Sequence, residues 1–93
     1  MKKEKIVRTE ADVTAIKEFM TAHGFETLAA FGKAVGMERQ NVWMRVVGRT
    51  DPDIRMLLKW SVVLECEIED LIRLFYPNEY SEYERRNSDG RKI

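Results

Sequence analysis

The sequence predicts an all-α domain, compact and built from five short helices. Three observations carry that prediction. Apolar residues recur at intervals of three and four along most of the chain, and no stretch alternates with the period of a strand. Thr or Asp precedes several of these runs and Gly follows them, which are start and stop signals for helices. The spacers between runs are only a few residues long, as in compact helical domains. With 93 residues the chain has room for one core, with little margin.

The elements follow in order. Residues 1–9 form a charged N-terminal arm. Thr9 caps a first helix, Glu10–Ala22, with acids in its first turn and Val13, Ile16, Phe19 and Met20 at helical spacing; Gly24 stops it. Phe25, Leu28, Phe31 and Val35 give a second helix, Thr27–Val35, with Thr27 as cap and Gly36 as its end. A third helix spans Glu38–Val47 and closes at Gly48. Asp51-Pro52 opens the fourth, with Asp as cap and Pro at the first helical position. Its inner stripe reads Ile54, Leu57, Leu58, Ser61 and Leu64. The fifth, Glu67–Phe75, buries Ile68, Leu71, Ile72 and Phe75, and Pro77 stops it. The helical domain therefore covers residues 10–76. Residues 77–93 are a polar tail without a periodic apolar face; around it Tyr76, Tyr80, Tyr83 and Ile93 are the sizeable apolar groups.

Composition narrows the function. The chain is 44% hydrophobic and 34% charged, the make-up of a globular protein. No apolar run approaches the roughly 18 residues of a membrane span, and no apolar segment follows MKKEKIVRTEAD to make a signal peptide. One cysteine, Cys66, leaves no intrachain disulfide, which fits a cytoplasmic setting. Formal net charge is zero, but its distribution is uneven. Residues 33–59 carry six Lys or Arg against three acids, a net of +3; residues 65–84 carry seven acids against Arg73 alone, a net of −6. A basic face can hold a polyanion on a neutral protein.

Catalytic and metal chemistry find no support. The lone His23 beside Gly24 suits the C-terminal end of the first helix, and Cys66 is a small apolar filler between helices four and five. One His and one Cys do not make a zinc site. Glu65, Glu67, Glu69 and Asp70 read as a solvated acidic start to the fifth helix. There is neither a Ser/His/Asp arrangement nor a phosphate-cradling Gly-rich loop, so the expectation is a non-enzyme without cofactor or metal.

The informative stretch is FGKAVGMERQNVWMRVVGR, Phe31 to Arg49. Helices two and three are separated by a few residues centred on Gly36. So tight a turn needs one residue at positive φ, which Gly adopts without steric penalty. Where the helices cross one residue must be small, and Gly32 fits, while Phe31, Val35, Met37, Val42 and Val46 fall where a shared core wants them. Arg39 and Gln40 precede the buried Val42 and face outward. Arg can bond guanine O6 and N7, and Gln adenine N6 and N7.

Gly32, Gly36 and Val42, with Arg49, Pro52, Leu57, Leu64, Ile68 and Leu71, resemble the Cro/C1-type (XRE-like) helix-turn-helix family. The resemblance runs from about Ala11 to Phe75 and includes G-R-T-D-P-D-I after the third helix. It implies a five-helix lambda-repressor-like domain whose third helix lies in the DNA major groove. It places base contacts at Glu38, Arg39, Gln40, Trp43 and Met44. It places phosphate contacts at Thr27, Arg49 and Thr50, and Arg45 either reaches a phosphate or lays its stem along the core edge. Glu38 stands where the family often has Ser or Thr; it could accept from cytosine N4 or repel wrong sequences. Leu28 replaces a polar residue that helps clamp the backbone.

The implied function is sequence-specific transcriptional regulation, repressor-like, bacterial or phage in type, by a homodimer on a pseudo-palindromic operator in double-stranded DNA. Helix five and the Tyr76–Tyr83 segment are the first candidates for the dimer surface. The alternative is a protein-interaction module on the same fold. It would be an antitoxin whose tail folds onto a partner, or a domain that binds protein through Trp43, Met44 and Val47.

Overall fold

The computed structural model describes residues 8–88, with side chains through Arg86. The described chain is all-helical, with α1 Glu10–Ala22, α2 Leu28–Val35, α3 Arg39–Val46, α4 Ile54–Leu64, α5 Ile68–Phe75 and α6 Pro77–Ser88. The count is therefore six, not five. Residue Pro77 opens α6 instead of ending the helical part of the chain, because a first helical position needs no N–H and suits the fixed φ of Pro.

The core is an aromatic column wrapped in aliphatics. Phe25 meets Phe31 edge-on at 5.4 Å between centroids, Phe31 meets Trp60 at 5.0 Å, and Trp60 meets Phe75 at 5.6 Å. These edge-to-face pairs suit the ring quadrupoles. They tie α2, α4 and α5 together, while Ile16 and Met20 of α1 and Val42 and Val46 of α3 close the sides. The column corrects the expected stripe of α4. Ile54 and Leu58 are exposed, and the inward face is Leu57, Trp60, Ser61 and Leu64. Both stripes repeat at helical spacing, so periodicity alone does not choose between them.

The helix starts are mostly local. The Thr9 and Thr27 hydroxyls accept from Asp12 N–H at 3.1 Å and Ala30 N–H at 3.0 Å, as their sequence positions predict. Helix α4 is capped by Asp53, which accepts from Met56 N–H at 2.9 Å, and not by Asp51; Pro52 is buried just outside the helix. The helix ends share one closure. In α1, α2, α3 and α4 the N–H of Phe25, Met37, Arg49 and Cys66 returns to the carbonyl five residues earlier, around a residue at positive φ. Three of those residues are the predicted stops Gly24, Gly36 and Gly48; the fourth is Glu65, at φ 57, which no glycine signal announced.

The turn between α2 and α3 behaves as its glycines require. Gly36 sits at φ 77, and a Cβ on Gly32 would lie 2.5 Å from the Met37 carbonyl oxygen. Only a residue without a side chain lets the α2 backbone approach that closely.

Candidate nucleic-acid interface

Helix α3 is fastened from below by Val42 and Val46, both fully buried, with Val47 buried just beyond its end. That leaves its outer side to Gln40, Asn41 and Met44, with Arg39 exposed at the first turn. Glu38 is the N-cap residue; its carbonyl accepts from the Asn41 and Val42 N–H groups, but its carboxylate makes no capping bond. The first N–H groups of α3 therefore receive no bond from the side chain of their own N-cap residue.

The expected contact residues are not all equally presented. Glu38, Arg39, Gln40, Thr27 and Arg49 are exposed; Trp43, Met44, Arg45 and Thr50 are half-buried. Trp43 turns toward α1, where Lys17 Nζ lies 5.6 Å from its ring centre. Arg45 folds back along its own helix, donating from Nη1 to the Asn41 carbonyl at 3.0 Å, with its Nε buried and unbonded. Thr50 ends the turn after α3, its N–H 3.3 Å from the Met44 carbonyl. The apolar surface of Trp43, Met44 and Val47 expected for protein binding does not exist as such, because Val47 is 1% exposed and Trp43 packs on the core.

Exposed cations lie on the neighbouring segments of the motif, Lys33 in the last turn of α2 and Arg49 just after α3. The face also carries one acid, the exposed Glu38; Asp51, after α3, is paired with Arg8, whose Nη2 lies 3.5 Å from its Oδ1.

Arg8 is the residue that sequence reasoning missed. Its backbone N–H donates to the Val47 carbonyl at 3.0 Å. Its guanidinium donates to the carbonyls of Val46 at 3.0 Å, Arg45 at 3.0 Å and Phe75 at 2.8 Å. It also stacks 5.1 Å from the centre of the Phe75 ring. Two helix C-termini, those of α3 and α5, point their negative ends at one spot, and a single cation serves both. Burial pulls the Arg8 guanidinium below its ordinary pKa, and Asp51 opposes that shift. The first described residue of the charged arm is thus a bolt that holds the C-terminal end of α3. Residues 1–7 lie outside the described residues. No local sequence signal marks Arg8, because all of these partners are distant in the chain.

A second clasp lies next to the first. The Tyr76 hydroxyl donates to the Pro52 carbonyl at 2.8 Å, fixing the segment before α4 against the end of α5. Burial, followed by the Asp51 charge, pushes the Tyr76 phenol above its ordinary pKa. His23, the C-cap residue of α1, is likewise structural: it stacks on Phe19 at 4.2 Å and holds the Leu64 carbonyl through Nδ1 at 2.9 Å. Burial also raises the Cys66 thiol, with Asp70 and Glu67 adding to it. Among the described residues, no group of three His, Cys, Asp or Glu side chains is placed to hold a metal ion, and no helix is long and apolar enough to cross a membrane.

Compared with known proteins, the chain matches no family model, no curated protein and no solved structure.

Proposed function

We propose that this chain is a sequence-specific DNA-binding regulator of the helix-turn-helix kind, repressor-like and bacterial or phage in type. In this reading α2 and α3 are the two helices of the motif, and α3 enters the major groove. The single observation that carries it is the α3 face. A helix pinned by buried valines, by the Gly32–Gly36 turn and by Arg8 leaves Arg39, Gln40 and Asn41 exposed side by side. A short polar helix on a solvated surface does not call for such fastening; a helix that must present side chains in fixed register to base edges does.

The roles follow from the chemistry of the exposed groups. Arg39 bonds guanine and Gln40 adenine, and Asn41 joins them as an adenine reader on the same face. Glu38 selects against or for a base at the edge of the site. Lys33, Thr27, Arg49, Thr50 and the first N–H groups of α3 serve phosphates, which sets register without reading sequence. Met44 meets a thymine methyl. Trp43 and Arg45, drawn toward the body of the domain, support the helix. One such domain covers few base pairs, so the functional unit is a homodimer on a two-fold site with half-sites roughly 34 Å apart.

The test is selection of binding sites from a random duplex pool at roughly physiological salt, with wild type beside Arg39→Ala and Gln40→Ala. The expected result is a two-fold motif that each variant relaxes at its own base pair, at about 1–3 kcal/mol each. If wild type enriches nothing, the polar run is solvated surface and the protein-interaction reading takes its place, with α6 as the contact.

A further inference from the structure

The described chain exposes four large apolar side chains: Ile54 at 56%, Leu58 at 51%, Val62 at 75% and Tyr83 at 56%. They are not scattered. Ile54, Leu58 and Val62 are spaced by four and line one exposed stripe of α4, beside the buried Leu57, Trp60, Ser61 and Leu64. Tyr83 stands on α6, a helix of twelve residues that buries no side chain among those described. A helix that short is marginal in water without a packed face. The molecule thus has an apolar stripe without a cover among the described residues and a helix, packed on α5, whose far side is uncovered.

The charges beside them are opposite. Each of Ile54 and Leu58 is followed by an exposed cation, Arg55 and Lys59, one turn apart along the edge of the stripe. On α6, Tyr83 shares one open face of the helix with Asn78, Glu79, Glu82 and Arg86. Glu79 and Glu82 are also about one turn apart. Glu82 is held within α6 by Arg85 at 3.0 Å and Arg86 at 3.6 Å. Exposed ion pairs of this type contribute little and exchange readily. Tyr80, by contrast, is occupied: Arg73 stacks 4.8 Å from its ring centre and donates to its hydroxyl at 3.2 Å. Tyr83 leans on Tyr80 at 5.6 Å between ring centroids but stays mostly exposed, and is the aromatic of α6 free to anchor a partner.

We propose that the occupant of the α4 stripe is α6 of a second copy of this chain. Tyr83 seats against Leu58 and Val62, and Glu79 and Glu82 meet Arg55 and Lys59. Because each copy carries both faces, the exchange is reciprocal and closes as a two-fold dimer. The assignment stands on the two uncovered faces and does not depend on DNA binding.

Sedimentation equilibrium of the full chain, without DNA, across roughly micromolar to millimolar protein tests it. Wild type is expected to pass from monomer to dimer. Leu58→Glu and Tyr83→Ala are each expected to raise the dissociation constant about tenfold or more, while circular dichroism and the thermal midpoint of the dilute monomer stay put. A charge-swap pair makes the test specific. Arg55→Glu/Lys59→Glu and Glu79→Lys/Glu82→Lys each weaken self-association, and mixing the two double variants restores a heterodimer. A wild type that stays monomeric throughout, as it would if α6 or another segment covered its own stripe, overturns the proposal. So does a dimer that survives Leu58→Glu, or swapped chains that fail to pair when mixed.

Discussion

Helices α3 and α6 are both short, RQNVWMRV half apolar and PNEYSEYERRNS almost wholly polar and charged. Neither has the broad apolar face that normally holds a helix to a core. Their fates differ. α3 is locked by two buried valines, by a glycine turn in front and by the Arg8 guanidinium behind. α6 packs on α5, where Arg73 holds Tyr80, but buries no side chain among those described and carries surface ion pairs of its own. Contacts from outside the helix set the two apart, and on that ground α6 is expected to open locally before α3.

The same substitution in each helix exposes that difference most sharply. Met44→Pro removes a backbone bond inside α3 and clashes with the preceding turn, and is expected to destabilise the whole domain by about 3 kcal/mol or more in urea unfolding. Arg8→Ala comes next. It leaves the carbonyls of Arg45, Val46 and Phe75 without their charged donor and is expected to cost roughly 2–3 kcal/mol. Amide exchange should then rise at the end of α3 before it rises elsewhere; uniform loss across the domain would show that Arg8 supports the core and not that end.

Tyr76→Phe removes one hydrogen bond, to Pro52, and should cost about 1 kcal/mol. It also carries a pH signature. The folded-state pKa of Tyr76 lies above the unfolded value, so its contribution is complete below about pH 10 and is lost as pH rises through the folded value. Urea midpoints of wild type and Tyr76→Phe should therefore converge at alkaline pH; a constant gap would mean that the hydroxyl does not titrate with unfolding. The smallest effect belongs to α6. Ser81→Pro should reduce the helical signal in circular dichroism yet change domain stability by less than about 0.5 kcal/mol in dilute protein. A loss near that of Met44→Pro would show that α6 belongs to the cooperative core.

Much of the fold was legible because its signals are local. Thr9, Thr27, Gly24, Gly36 and Gly48 mark helix ends through bonds to residues within five positions, so their meaning survives without tertiary information. The close approach at Gly32 was legible for a related reason, since α2 and α3 are neighbours in sequence as well as in space. The outward setting of Arg39 and Gln40 follows from the buried Val42 by helical period alone.

Three features needed the tertiary structure. Ile54 and Leu58 repeat on α4 as faithfully as Leu57, Ser61 and Leu64, and only the aromatic column through Phe31, Trp60 and Phe75 decides which stripe turns inward. Asp53 caps α4 in place of Asp51 because Pro52 is drawn into the core and Asp51 is engaged by Arg8. Arg8 itself gathers carbonyls from residues 45, 46 and 75, so nothing within reach of a local reading marks it. The sequence by itself determined where this chain turns helical and which polar side chains α3 shows. Only the tertiary structure decided which face of α4 is buried and what holds α3 still. Periodicity and capping are set by bonds within a turn or two, whereas facing and fastening are set by partners that the chain brings together only when it folds.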